Sequence, residues 1–229
     1  MKIAHVIGSC ASGGAEMFVK SLLPYLKALG AELELWVMTR VSDAYPEDNV
    51  RSEFEQSFVA DVEKTGVPVK FVGKRPRRDW HKTSAVLNEF SQSFSPNVVH
   101  SHLESVSFHV WRSLRKRRAF LVQTIHNTVV SYPRIQRIVS GGFASYVAIS
   151  ERVMQITREV IGEKRRVATI LNGIEVGKFR FKRSINSTVN NVVAVGRLTK
   201  QKDYPNLLNA YSILVSLLVK EKAAIPRLS

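Results

Sequence analysis

Short apolar runs and longer amphipathic runs take turns along this chain. Ile3–Ile7 is a compact apolar run and predicts a strand; it stops at Gly8, and small residues lead through Gly13-Gly14 into a helix-spaced segment, Ala15–Leu29, closed by Gly30. Glu32–Thr39 alternates at period two and predicts a second strand. Ser52–Thr65 has helical spacing up to Gly66, Val69–Val72 predicts a short strand, and Ser84–Ser93 a helix ending before Pro96. The pattern continues with Asn97–Ser101 (strand), Ser105–Arg118 (helix), Ala119–Thr124 and Tyr146–Ile149 (strands), Glu151–Ile161 (helix) and Val167–Leu171 (strand).

Strands that alternate with helices and are themselves β-branched predict an α/β fold, a parallel sheet covered by helices on both faces. Turn and linker chemistry then fills 172–190, with Asn172-Gly173 and the polar run Ser184-Ile185-Asn186-Ser187-Thr188. The alternation restarts with Asn191–Val195 as a strand, Gly196–Lys202 as a loop and Asp203–Lys222 as a helix, Asp203 in the N-cap place. This divides the chain into 1–185 and 186–229. After Thr188 only 41 residues remain, fewer than the 50 or so a domain needs, so the second unit is expected to be the start of a domain cut short. No repeat of fixed period and no low-complexity segment interrupts the pattern.

Composition changes this picture in two places. Thirty-four lysines and arginines against 19 acidic residues give a formal net charge of +15, gathered at 74–78, 112–118, 164–166 and 178–183. Such patches attract nucleic-acid phosphates, anionic lipid surfaces or anionic substrates, or simply keep a protein soluble. The basic residues are not interleaved with aromatics along one element, and no nucleic-acid motif is present, so nucleic acid is not the expected partner. The single cysteine, Cys10, cannot close an internal disulfide and fits a reducing compartment. No apolar run reaches the roughly 20 residues that span a bilayer, and the expected location is the cytoplasm.

In an open parallel sheet, ligands bind beyond the carboxyl ends of the strands, and the candidate residues all fall there. Gly13, Gly14 and Glu16 open the first helix; a glycine-rich strand-to-helix loop lets backbone approach a phosphate or sugar hydroxyls, or is only a tight turn. His100 and His102 end the strand beginning at Asn97, and their imidazoles share a side only if that strand continues to residue 102. With one cysteine and no nearby carboxylate cluster a zinc pair is disfavoured; hydrogen bonding to a substrate, general-base work or simple capping remain. His126, followed by Asn127, ends the neighbouring strand. Arg197 and Lys202, after Gly196, are spaced to clamp a diphosphate that gains charge as it leaves, or are two solvated cations.

Taken in order, these segments resemble the retaining glycosyltransferases of family 4 (the "group 1" type), which have the GT-B fold. The resemblance is carried by Gly13-Gly14-Ala15-Glu16, Val98-Val99-His100-Ser101-His102, Thr124-Ile125-His126-Asn127, Ala148-Ile149-Ser150-Glu151, Leu171-Asn172-Gly173-Ile174, and Val195-Gly196-Arg197-Leu198 with Lys200, Lys202 and Asp203. It implies two Rossmann-like domains facing across a cleft: an N-terminal one that mainly binds acceptor, here 1–185, and a C-terminal one that binds a nucleotide-sugar, of which 186–229 is the first β-α unit.

The implied activity is transfer of a sugar from a nucleotide-sugar, UDP- or GDP-linked, to a glycan or lipid-linked acceptor with retention, in cell-surface polysaccharide or lipopolysaccharide synthesis. By the same resemblance His126 lies beside the transferred sugar, and Arg197 and Lys202 hold the diphosphate and stabilise the departing nucleotide. Gly13 and Gly14 approach donor or acceptor, while Glu16, His100, His102 and Asn127 lie on the acceptor side. No metal or other cofactor is implied, in keeping with the absence of an Asp-x-Asp triplet. The basic patches fit peripheral attachment to an anionic membrane. The family's Gly-Asp-Gly type loop and paired glutamates have no counterpart after Lys222, so the donor site is expected to be incomplete within these residues. The rival expectations are a catalytically inactive acceptor-side fragment and a basic nucleic-acid-binding protein.

Overall fold

The computed structural model describes all residues except Ser12, Pro76, Arg77, Ser131, 179–190, Arg197 and Ser229, together with the side chains of Lys178 and Gln201. Nine strands and eight α-helices occur among the described residues, in two compact units, Met1–Val176 and Gly177–Ser229. The boundary expected between 185 and 186 lies outside the described residues.

In the first unit β1 (Lys2–Ile7), α1 (Gly14–Ala28), β2 (Glu32–Val37), α2 (Val41–Ala44), α3 (Asn49–Lys64), β3 (Val69–Phe71), α4 (Trp80–Phe94) and β4 (Val98–His102) are followed by α5 (Glu104–Leu114), β5 (Phe120–Ile125), α6 (Pro133–Val139), β6 (Ser145–Ala148), α7 (Glu151–Ile161) and β7 (Val167–Thr169). The seven strands form one parallel sheet in the order β3-β2-β1-β4-β5-β6-β7.

Because parallel crossovers are right-handed, helices on paths running from β1 toward β3 lie on one face and those running toward β7 lie on the other. Val19 and Leu23 of α1 and Phe58 and Val62 of α3 accordingly pack on Ile3, Ile7, Leu33, Leu35 and Val37. Residues of α4, α5, α6 and α7, among them Leu87, Val110, Val139 and Val153, pack on Ala4, Val6, Trp36, Val99, Leu121 and Tyr146.

The division leaves an asymmetry. On β4 to β6 every position turned to the α4–α7 side, such as Val99, Ser101, Leu121, Gln123, Tyr146 and Ala148, is buried. Of the alternate positions, Val98, His100, Val122, Ser145 and Val147 are only half-buried and Phe120 is exposed, while His102 and Thr124, at the carboxyl ends, are buried.

Several boundaries moved from their expected places. The helix expected over Ser105–Arg118 stops at Leu114, where the Arg117 amide turns back to the Leu114 carbonyl and its guanidinium is held by Asn88 Oδ1 at 2.9 Å. The strand expected to reach Leu171 ends at Thr169, leaving Ile170 and Leu171 exposed. α2 is a single turn and α6 begins at Pro133; neither had a periodic apolar pattern long enough to announce it.

The second unit holds β8 (Asn191–Val192), a 3-10 turn (Lys200–Lys202), α8 (Tyr204–Lys220) and β9 (Arg227–Leu228), with β8 and β9 paired in parallel. The strand expected over Asn191–Val195 is therefore only two residues long, and its partner is a strand not foreseen. The Tyr204 hydroxyl donates to the Gly196 carbonyl at 2.9 Å, and that of Tyr211 donates to the Pro226 carbonyl. Asp203 stands at the N-cap of α8 but in the left-handed region, φ 49°, and its side chain makes no capping bond. No residue of α8 is buried.

Candidate functional site

The sheet order places β1 beside β4, and the chain leaves these neighbours in opposite directions, β1 toward β2 and β4 toward β5. That is a topological switch point, where a crevice opens beyond the carboxyl ends of the strands. Three strands send imidazoles to the same face there. His5 is in register with His100, and His102 with Thr124. His126 lies two residues past Thr124, one after the end of β5, so alternation turns it to the same side. β4 does continue to His102, which meets the condition for His100 and His102 to share a face.

The rings form a connected row. His5 Nδ1 lies 3.2 Å from His102 Nε2, and His102 Nδ1 lies 3.2 Å from His126 Nε2. His100 stacks on His102 with centroids 4.4 Å apart and bonds Thr124 Oγ1 through Nε2 at 2.7 Å. At the outer end, Phe18 of α1 meets the His126 ring edge-on at 6.1 Å. His5 and His102 are sealed in, at 1% and 0% exposure, whereas His126, just past the carboxyl end of β5, is half-buried. Leu103, directly after His102, has φ 84°, a conformation that costs a residue with a β-carbon about 1–2 kcal/mol and turns the chain sharply off the strand.

Burial removes water from around the rings and so disfavours their charged form. It holds His5 and His126 down to about 4, and His100 and His102 well below the ordinary range, with neighbouring imidazoles adding to the effect for those two. At neutral pH the row is uncharged. It therefore offers hydrogen bonds at its outer end rather than a positive charge.

Ligand nitrogens of His5, His100 and His102 also lie within 4.8 Å of one another, a spread that could take a metal ion. Zinc held at 2.0–2.1 Å would put them about 3.3 Å apart, a separation that the His5–His102 pair meets. The same separation is also that of a hydrogen bond, and His102 has both of its ring nitrogens placed against other imidazoles.

At the opening of α1, Gly13 is the N-cap and Gly14 the first helical residue. A β-carbon at Gly13 would run into the Glu16 carboxylate, whereas one at Gly14 would meet nothing within 4 Å. Glu16 is buried in the first turn with its carboxylate beside Gly13, an acid at the end of the helix whose dipole favours negative charge. Beside it the buried Cys10 thiol is pushed up to about 12, first by desolvation and then by the nearby Glu55 and Glu16 carboxylates.

The first unit thus brings together His100, His102 and His126 at one strand edge, with Gly13, Gly14 and Glu16 at the head of the neighbouring helix. Asn127 follows His126 and is exposed. Lys202 is exposed at the end of the 3-10 turn in the second unit, its stem against Gly196. Arg197 lies outside the described residues.

One residue of the row, His5, was not singled out from the sequence. Its signal was a polar side chain in an otherwise apolar strand, at the parity of Ile3 and Ile7. The basic clusters divide between the two edges of the sheet: Arg115–Arg118 precede β5 and Lys164–Arg166 precede β7, at the edge opposite the histidines, while Lys74, Arg75 and Arg78 follow β3. Arg75 is committed to Asp79, with bonds of 2.7 and 2.9 Å. No helix among the described residues is long and apolar enough to cross a membrane.

Residues 12–178 match the family model described as Glycosyltransferase Family 4. No curated protein matches the chain. Among solved structures it is similar to HepE of Anabaena in complex with UDP-glucose, with 13% identity and a TM-score of 0.61 over 80% of this chain and 47% of that one. It is also similar to sucrose-phosphate synthase of Thermosynechococcus elongatus (14%, TM-score 0.64, covering 87% and 56%) and to a glycosyltransferase of Rickettsia africae (17%, TM-score 0.62, covering 86% and 53%). The chain spans about half the length of these structures.

Proposed function

Because the chain belongs to Glycosyltransferase Family 4, we propose that it serves the transfer of a sugar from a nucleotide-sugar donor to a glycan or lipid-linked acceptor, with retention at the anomeric carbon. The observation that carries this reading is the row of uncharged imidazoles ending at His126 in the switch-point crevice. A sugar presents hydroxyls, and an uncharged imidazole beyond the carboxyl end of a strand orients a hydroxyl without attracting a counter-ion. HepE, of like fold, has been captured with UDP-glucose; a UDP- or GDP-linked hexose is the donor we assign here.

In this reading Gly13 and Gly14 bring backbone close to the donor or acceptor. Glu16, His100, His102 and Asn127 form the acceptor side, with His102 reaching a ligand through His126 because its own nitrogens face other rings. Arg197 and Lys202 balance the charge that grows on the departing diphosphate, with no metal required. The work is cell-surface polysaccharide or lipopolysaccharide synthesis on the cytoplasmic side of an anionic membrane, to which the basic clusters adhere.

The test is nucleotide release from a panel of UDP-, GDP- and ADP-sugars with cell-envelope lipids as acceptors, using this chain and its His126→Ala, Arg197→Ala and Lys202→Ala variants. Release with one donor, lost in all three variants, is the expected result. Release that survives His126→Ala removes the row from the reaction, and no release from any donor refutes transfer by this chain on its own.

A further inference from the structure

We infer that His5 and His102 are positioning residues for His126: the file His5–His102–His126 fixes His126 as the tautomer that carries its proton on Nδ1 and presents it to the crevice as a hydrogen-bond donor. The consequence for sugar transfer rests on the function proposed above; the tautomer itself does not.

An uncharged imidazole has one N–H and one lone pair. Two successive contacts, His5 Nδ1 to His102 Nε2 and His102 Nδ1 to His126 Nε2, therefore lock three rings into one of two polarities. The ends of the file decide between them. At the inner end His5 Nε2 is buried and has no partner. If the file ran inward, that nitrogen would carry a hydrogen sealed away from any acceptor, the rarest kind of orphan in folded proteins. If it runs outward, His5 donates from Nδ1, His102 donates from Nδ1, His126 accepts at Nε2, and only a weakly basic lone pair is left inside.

The outer end suits the same polarity. No partner is present for His126 Nδ1 among the described residues, and that atom is not sealed from solvent. The rest of the row holds the rings in place: His100 lies flat against His102 and is anchored to Thr124, and Phe18 bounds the His126 ring. His126 thus meets a ligand oxygen as a donor whose orientation is set two strands away, on β1. A sugar or acceptor hydroxyl would accept this bond through its oxygen.

The experiment is a long-range proton–nitrogen correlation spectrum of the 15N-labelled full chain at neutral pH, with the His126 signals identified by their loss in His126→Ala. A single Nδ1–H form of His126 is expected in the unaltered protein; a single Nε2–H form overturns the proposal without any variant. His5→Leu removes the inner donor and is expected to leave His126 as a mixture of tautomers. His5→Asn, whose amide N–H replaces Nδ1–H, is expected to restore the single form; an unchanged His126 tautomer in a folded His5→Leu overturns the proposal. So does one equivalent of Zn²⁺ that shifts the His5, His100 and His102 nitrogens together, since that would make the cluster a metal site.

Where transfer is measurable, His5→Leu should lower kcat about tenfold, the worth of one aligned hydrogen bond, with donor KM nearly unchanged, and His5→Asn should recover it. A chain that shows the coupled tautomer but transfers no sugar retains this inference and loses the proposed function. One that transfers sugar without the coupling does the reverse.

Discussion

Acidification should unfold the first unit early, and the histidine row sets the scale. A histidine held below its ordinary range when folded gives stability that is complete above the unfolded value, 6.5, and is lost as pH falls toward the folded one. For His5 the folded value is about 4. At pH 5 the unfolded chain then holds nearly one proton more at this position, and integrating from pH 7 gives a loss of about 2 kcal/mol. His100, His102, His109 and His126 act with the same sign, each through burial.

Glu55 and Glu104 oppose them. Burial raises both in the fold, so they hold protons there more readily than in the unfolded chain and regain stability as pH falls. The five histidines outnumber the two carboxylates, so unfolding takes up protons on balance and stability falls as pH falls below 6.5. Against a domain stability of about 5–15 kcal/mol, the loss at His5 alone is a sizeable share of the margin by pH 5. The assay is urea unfolding followed by tryptophan fluorescence, for which Trp36 is fully buried, at steps from pH 7.5 to 5. The urea midpoint should fall continuously below pH 6.5. A midpoint constant from pH 7 to 5, or a slope under one proton, would refute the claim that the row is buried uncharged.

Two further outcomes follow from local geometry. Cys10, the only thiol in the chain and pushed up to about 12, should resist a thiol reagent at pH 8 in the folded protein and react fully in urea; stoichiometric labelling within minutes under native conditions would show that the loop after β1 opens freely. The Ser150 hydroxyl accepts the Val153 amide at 3.2 Å and caps α7, so Ser150→Ala should cost about 1 kcal/mol in urea unfolding. Asp203→Ala, which removes no capping bond, should leave stability within experimental scatter, and equal losses from the two substitutions would contradict the capping assignment.

The alternation of strands and helices was legible because its apolar periods change from two to 3.6 at glycines and prolines, as at Gly30, Gly66 and Pro96. His100, His102 and His126 were legible because each ends an apolar run. His5 was not, although its parity was visible: alternation tells which face a side chain takes, but only the direction of the crossovers decides that β4 lands beside β1 and brings His100 into register with His5. Glu16 read as a first-turn acid open to a ligand; its burial beside Gly13 depends on the packing of α1 over Cys10 and α3, which no local pattern encodes. The shortness of β8 was hidden for a similar reason. Asn191–Val195 has the composition of a strand, but only two of its residues find a partner, Arg227 and Leu228.

The sheet order has one more consequence, for synthesis. β1, made before the other six strands of its sheet, is an interior strand of it. β2, with β3 beyond it, can join one of its edges once Phe71 has been made, while the other edge, with its unpaired N–H and C=O groups, waits for Val98–His102. At ribosomal rates of 5–20 residues per second that edge stays open for on the order of ten seconds, an invitation to mispairing. His5 emerges with the early half and His100, His102 and His126 with the late one, 97 residues separating the first bonded pair. The histidine file is therefore closed only by the docking of segments born at different times, and its completion marks the moment β1 gains its second neighbour, before β6 and β7 extend the sheet.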